Sequence, residues 1–264
     1  MLSVNNNENI YDLLLKEGFV DTSNNDNYSV NIEDLKRSSG VYASIPEAIY
    51  DDESNEYMIK SIRRIVGLSN YFKYDDINHI ANLIHELSHL VKSYVDEYKV
   101  IDDNLINRNG LIVYTYKLTN EDNVVSMKLL DEKSVGIEEG TNSLDEENIM
   151  SNYFDSNYEV RGYVLVTAVA RALTDNFNLK KDIHDSHFFA NKNNFIEKYN
   201  SMSTDDSYQR LDMLMDETLR LEYEKFANAF NSEKLQESHQ KLNDKIEPLR
   251  NILSEFNKDY QNIK

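Results

Sequence analysis

The sequence predicts an α+β protein in which a small sheet packs on one central helix and a mainly helical C-terminal region follows. Three observations predict it. Ile77, Ile80, Ala81, Ile84, Leu87, Val91, Tyr94 and Val95 recur at helical spacing and give that segment one strong apolar stripe. Leu111–Leu118 and Val124–Leu130 are rich in β-branched, aromatic or aliphatic residues and are joined by the polar turn Thr119–Asn123, which reads as a hairpin. Leu235, Leu242, Ile246, Leu249, Leu253, Phe256 and Tyr260 repeat at three- and four-residue steps near the C-terminus.

The elements follow in order. Ile10–Phe19 reads as a short amphipathic helix stopped at Gly18. Asp21–Asn31 is Asn-, Asp- and Ser-rich and reads as a loop, with a helical turn over Asn31–Lys36. Val41–Ile45 reads as a strand that Pro46 ends or marks as an edge. Asp51–Glu56 is an acidic turn, more often solvated than a cation site. Glu56–Val66 fits a strand or a helix; Ile59, Ile62, Ile65 and Val66 make a helical stripe, with Gly67 as its stop. The central helix opens near Asp75-Asp76 and runs to about Tyr98. The hairpin strands are expected to back it. Asn157–Thr174 reads as a buried helix, and Asp182–His187 as a loop. Helices are expected over Phe195–Ser201, Asp206–Phe230 and Glu233–Tyr260, the last kinked or broken at Pro248.

Length and composition narrow the function. A chain of 264 residues can bury a real core as one large domain or two modest ones. Residues 1–180 are expected as one domain and 181–264 as the helical region, which can pack onto the first. The formal charge of −19 repels nucleic acid and anionic membrane surfaces, and weakly favours neutral or basic substrates. There is no cysteine, so a metal must be held by nitrogen and oxygen. No window is apolar enough to span a bilayer, and the N-terminus lacks a basic, then apolar, secretory pattern. A cytoplasmic protein is the default, with export by a route without a cleaved signal left open.

The chemistry lies in His85-Glu86-Leu87-Ser88-His89. Histidines at i and i+4 sit one turn apart on one helix face, so both rings can reach one ion, and Glu86 can work on a water beside it. With six histidines in the chain, a chance match to His-Glu-x-x-His is expected in about 1% of such sequences. A catalytic zinc takes three protein ligands. Lys92 and Val95 stand where the extended metzincin motif needs Gly and His, so the third ligand must come from elsewhere. His79 and His239 read as bystanders.

Glu138-Glu139-Gly140, downstream, resembles the Glu-bearing second helix of the gluzincin metallopeptidases, a likeness that covers about Asp75–Thr174. The resemblance implies a zincin-like unit that hydrolyses peptide bonds with one Zn2+, held by His85, His89 and Glu139, with Glu138 as the alternative ligand and Glu86 as general base. It also implies a donor for the developing oxyanion: Tyr158 first, with Tyr163, His184 and His187 as alternatives. His184 and His187 are also a weaker candidate for a second metal site. Some members orient a metal-bound histidine with an Asp four residues after the ligand Glu. Here that position is Ser143, which leaves Asn142 or Asp145 for the task. Two rival readings stand beside this one. One is a non-catalytic interaction protein with a vestigial metal helix. The other is a hydrolase with one narrow protein target.

Overall fold

A computed structural model of the chain describes residues 3–4, 8–9, 28–33, 40–69, 77–92, 97–122, 124–188, 192–202 and 206–255. It is mixed α and β. The described residues form two compact units, one of residues 1–132 with 145–158, the other of 133–144 with 159–264. Residue 180 falls within the second. The helix expected over Ile10–Phe19 lies outside the described residues.

Among the described residues, the first unit holds three sheets. β1 (Ser3–Val4) and β2 (Glu8–Asn9) form a short antiparallel pair. β3 (Tyr28–Glu33), β4 (Gly40–Asp51) and β5 (Glu56–Ser69) form a three-stranded sheet in the order β3-β5-β4, with β3 parallel and β4 antiparallel to β5. The loop and helical turn expected around Asn31 are therefore a strand at 28–33. Its partner, β5, is about 35 residues away in sequence, beyond the reach of local pattern.

β5 also settles the ambiguous segment. Its helical stripe is an accident of a bulge. Ala48 pairs with Ile59 and Glu47 with Ser61, so Lys60 is an extra residue in β5. That insertion puts Ile59 and Ile62 on the same face at a spacing of three. Gly67 does not end the element; it lies inside β5 between Val41 and Asn31. β4 runs on past Ile45, and Pro46 is accommodated because β4 is a terminal strand.

α1 (Ile77–Lys92) packs on β4 and β5. The backing expected from the downstream hairpin comes from these strands, which supply Val66 and Leu68, at most 2% exposed. α1 stops short of Tyr98 because β6 (Glu97–Ile101) begins there. β6, β7 (Asn104–Asn109), β8 (Ile112–Glu121) and β9 (Val124–Lys133) form a four-stranded sheet in sequence order. β8 and β9 are the expected hairpin strands. β6 and β7 turn on Asp102 and Asp103, with φ of 49° and 60°, the paired left-handed conformation of a two-residue hairpin.

α2 (Val135–Tyr153) gives its first half to the second unit and the rest to the first. The second unit continues with α3 (Val164–Arg171), a π turn (Ala172–Asn176), α4 (Lys180–Phe188), α5 (Lys192–Ser201), α6 (Ser207–Ala227) and α7 (Ser232–Ser254). Only the second half of Asn157–Thr174 is helical, since Tyr163 takes a left-handed φ of 50° just before α3. The expected loop at Asp182–His187 is helix α4; Leu179, Ile183, Ser186 and His187 are buried at helical spacing. α7 runs unbroken through Pro248. No helix among the described residues is long and apolar enough to cross a membrane.

Two acidic side chains of α6 accept backbone hydrogen bonds at the starts of other helices. Asp216 Oδ1 accepts from Gly136 N at 2.7 Å and Oδ2 from Ser134 N at 3.2 Å; Glu222 Oε1 accepts from Leu165 N at 2.9 Å. Burial pushes Asp216 up to about 6 and Glu222 up to about 7. Between pH 4.5 and 7 the folded chain thus holds a proton on Glu222 that the unfolded chain has lost. That contribution to stability is full below about pH 4.5 and disappears as pH rises through about 7, with a span of about 3 kcal/mol. Glu222→Gln keeps a carbonyl for Leu165 N and cannot ionise. Denaturant unfolding at pH 5 and pH 8 is expected to show the variant gaining on wild type at pH 8. An equal difference at both pH values would refute the buried ionisation.

Candidate metal site

α1 places its motif in the interior. His85 and His89 are each 7% exposed and Glu86 is 8% exposed. The two imidazoles meet edge to face at 5.2 Å between centroids. Strand β4 lines the same helix face. Tyr42 stacks on His89 with rings nearly parallel and 6.1 Å apart, and Gly40 lies against the Glu86 carboxylate. A Cβ at Gly40 would come 2.6 Å from Glu86 Oε1, so only glycine leaves that carboxylate its place. Nothing in the sequence pattern marks Gly40 or Tyr42, because the contact spans more than 40 residues.

His85, His89 and Glu139 each offer one ligand atom, and these atoms all lie within 4.8 Å of one another. This group can hold a metal ion. Two imidazoles and a carboxylate form a donor set that zinc accepts.

A residue missed in the sequence completes the arrangement. His85 Nδ1 donates to Glu146 Oε2 at 3.0 Å. That bond leaves His85 Nε2 as the nitrogen for a metal and fixes the ring plane. Glu146 follows Glu139 by seven residues, two helical turns, so both project from one side of α2. This spacing was the signal that could have found it. The positions considered for the task do other things. Asp145 pairs with Lys92 at 2.8 Å, which neutralises a lysine only 2% exposed. Asn142 is fully buried. Ser143 is buried too, and its Oγ has no hydrogen-bond partner among the described residues.

Tyr158 lies in the irregular stretch after α2, not at a helix start, and its hydroxyl donates to Glu146 Oε1. It therefore joins a chain Tyr158–Glu146–His85. The other candidates lie elsewhere. Glu138, the alternative ligand, is 1% exposed and meets His187 Nε2 at 2.9 Å, a bond internal to the second unit. His187 is correspondingly buried, while His184 is partly exposed beside Asp185. Tyr163 packs edge to face with Tyr223 and Phe226. His79 is buried in α1, and His239 is exposed on α7.

The turn that carries Glu139 is gripped closely within the second unit. A Cβ on Gly136 would lie 2.4 Å from the backbone of Met215, and one on Gly140 would lie 2.5 Å from Val166 O. Both glycines exist because another helix backbone passes where a side chain would be. Comparison of the chain with protein-family models, curated proteins and solved structures returns no match.

Proposed function

We propose that the protein is a zinc-dependent metallopeptidase of the gluzincin type, with His85, His89 and Glu139 as ligands and Glu86 as general base. The observation that carries this reading is the convergence of those three ligand atoms within 4.8 Å, beside a buried Glu86.

When bound, Zn2+ supplies Lewis-acid polarisation of a carbonyl and acidifies water. The chain's own groups do the rest. Glu86, confined by the Gly40 backbone, takes a proton from the attacking water as the oxygen bonds to the amide carbon. It returns that proton to the nitrogen as the carbon–nitrogen bond breaks, which balances the step. Glu146 holds His85 in the tautomer with its proton on Nδ1, and Tyr158 steadies Glu146. An oxyanion role for Tyr158 requires its hydroxyl to turn from Glu146 to the substrate. β4, a terminal strand among the described residues and beside Glu86 and His89, has a backbone edge suited to pairing with an extended peptide.

Chelation tests the proposal. The chain as purified and reconstituted with Zn2+ is expected to bind one ion and cleave an unstructured protein such as casein. Stripping with a chelator should abolish cleavage, and one equivalent of Zn2+ should restore it. A chain that neither binds Zn2+ nor cuts would sink the reading. One that binds the ion without cutting casein limits the target to a narrower substrate, to be sought with a peptide library.

A further inference from the structure

We infer that Asp216 is a positioning residue for Glu139, and that the C-terminal helices serve as the mount for that carboxylate; the inference rests on Glu139 being a metal ligand. A single turn of α2, residues 136–140, is held from three helices of its own unit. From α6, Asp216 accepts from Ser134 N and Gly136 N, and the Met215 backbone abuts Gly136. From α3, Val166 O abuts Gly140. From α4, His187 bonds Glu138.

The arrangement solves a local problem. β9 ends at Lys133, and Ser134 takes a left-handed φ of 63° to reverse the chain into α2. Asp216 reaches over from α6 to accept from Ser134 N, and it also accepts from Gly136 N in the first turn of α2, where the helix dipole favours a carboxylate. Glu139 follows Gly136 by three residues. A cap that lets this turn fray moves the ligand, whereas the histidine pair on α1 is unaffected. The two flanking glycines have the same consequence, since they admit backbones so close that the turn has little room to shift.

The test is zinc affinity of the full-length chain, by competition with a chromophoric chelator, together with the visible spectrum of the Co2+ form. Asp216→Ala is expected to bind Zn2+ about 10–100-fold more weakly than wild type and to alter the Co2+ bands. Asp216→Asn keeps one carbonyl for Gly136 N but turns an amide N–H toward Ser134 N, so an intermediate loss of several-fold is expected. A merely structural clamp would lower the unfolding midpoint and leave both metal readouts unchanged in the folded protein. Wild-type affinity and spectrum in Asp216→Ala overturn the inference. If that variant does not fold, wild-type values in Asp216→Asn overturn it equally. Glu139→Ala separates the two levels. A loss of affinity there with none in Asp216→Ala sinks only the positioning role, whereas undiminished binding in Glu139→Ala removes the ligand assignment beneath it.

Discussion

Glu86→Gln is expected to bind one Zn2+ per chain as tightly as wild type and to lose turnover by at least about 10²–10⁴-fold. The amide has nearly the volume of the carboxylate, so it fits the space beside the Gly40 backbone, and the fold has no reason to change. It cannot accept the proton from water. Metal content with a peptide assay on the same sample separates the two effects. Cleavage at the wild-type rate by a zinc-replete Glu86→Gln protein would remove Glu86 as the base. Loss of the metal instead would mean that Glu86 belongs among the ligands.

Glu139→Ala and Glu138→Ala should fail in opposite ways, although the residues are adjacent. Glu139→Ala removes a donor from the His85–His89–Glu139 group and should weaken zinc binding by more than about 100-fold, with activity lost in proportion. Glu138→Ala takes away the 2.9 Å partner of His187, at a site where both side chains are at most 3% exposed. It should cost about 1–3 kcal/mol in denaturant unfolding. At temperatures where it remains folded, its zinc affinity should match wild type. The reverse pattern would exchange the two assignments.

The motif region was legible because its signals are local. His85, Glu86 and His89 share one turn of one helix, and their flanking apolar stripe announces both the helix and its burial. The hairpin over 111–130 was legible for the same reason. Glu139 was reached through the resemblance carried by its Glu-Glu-Gly context, and it lies on a helix, Val135–Tyr153. The adjacent residues were harder. Glu138 and Glu139 are chemically identical, and tertiary contacts distinguish them: Glu138 meets the His187 ring, whereas Glu139 offers its ligand atom with His85 and His89. The partner for a ligand histidine was sought at Asn142 or Asp145, yet Glu146 is the residue that bonds His85, because the face shared with Glu139 recurs after two full turns. The β5 segment imitated a helix because one extra residue changed its alternation. The α4 segment passed for a loop because its polar content hid three buried positions, Ile183, Ser186 and His187.

The sequence by itself determined the chemistry on offer: two imidazoles and a carboxylate in one helical turn, no thiol anywhere, and an acidic chain. The 3.6-residue period suffices for that, since it fixes which side chains share a face. Only the tertiary structure decided which later carboxylate could share an ion with the histidines, which one bonds His85 Nδ1, and that Gly40, Gly136 and Gly140 are places where another chain segment needs the space. Those choices depend on contacts between residues 26 to 79 positions apart. Side-chain volume and hydrogen-bond geometry make them once the chain has closed on itself, and local pattern records no more of them than the seven-residue spacing of Glu139 and Glu146.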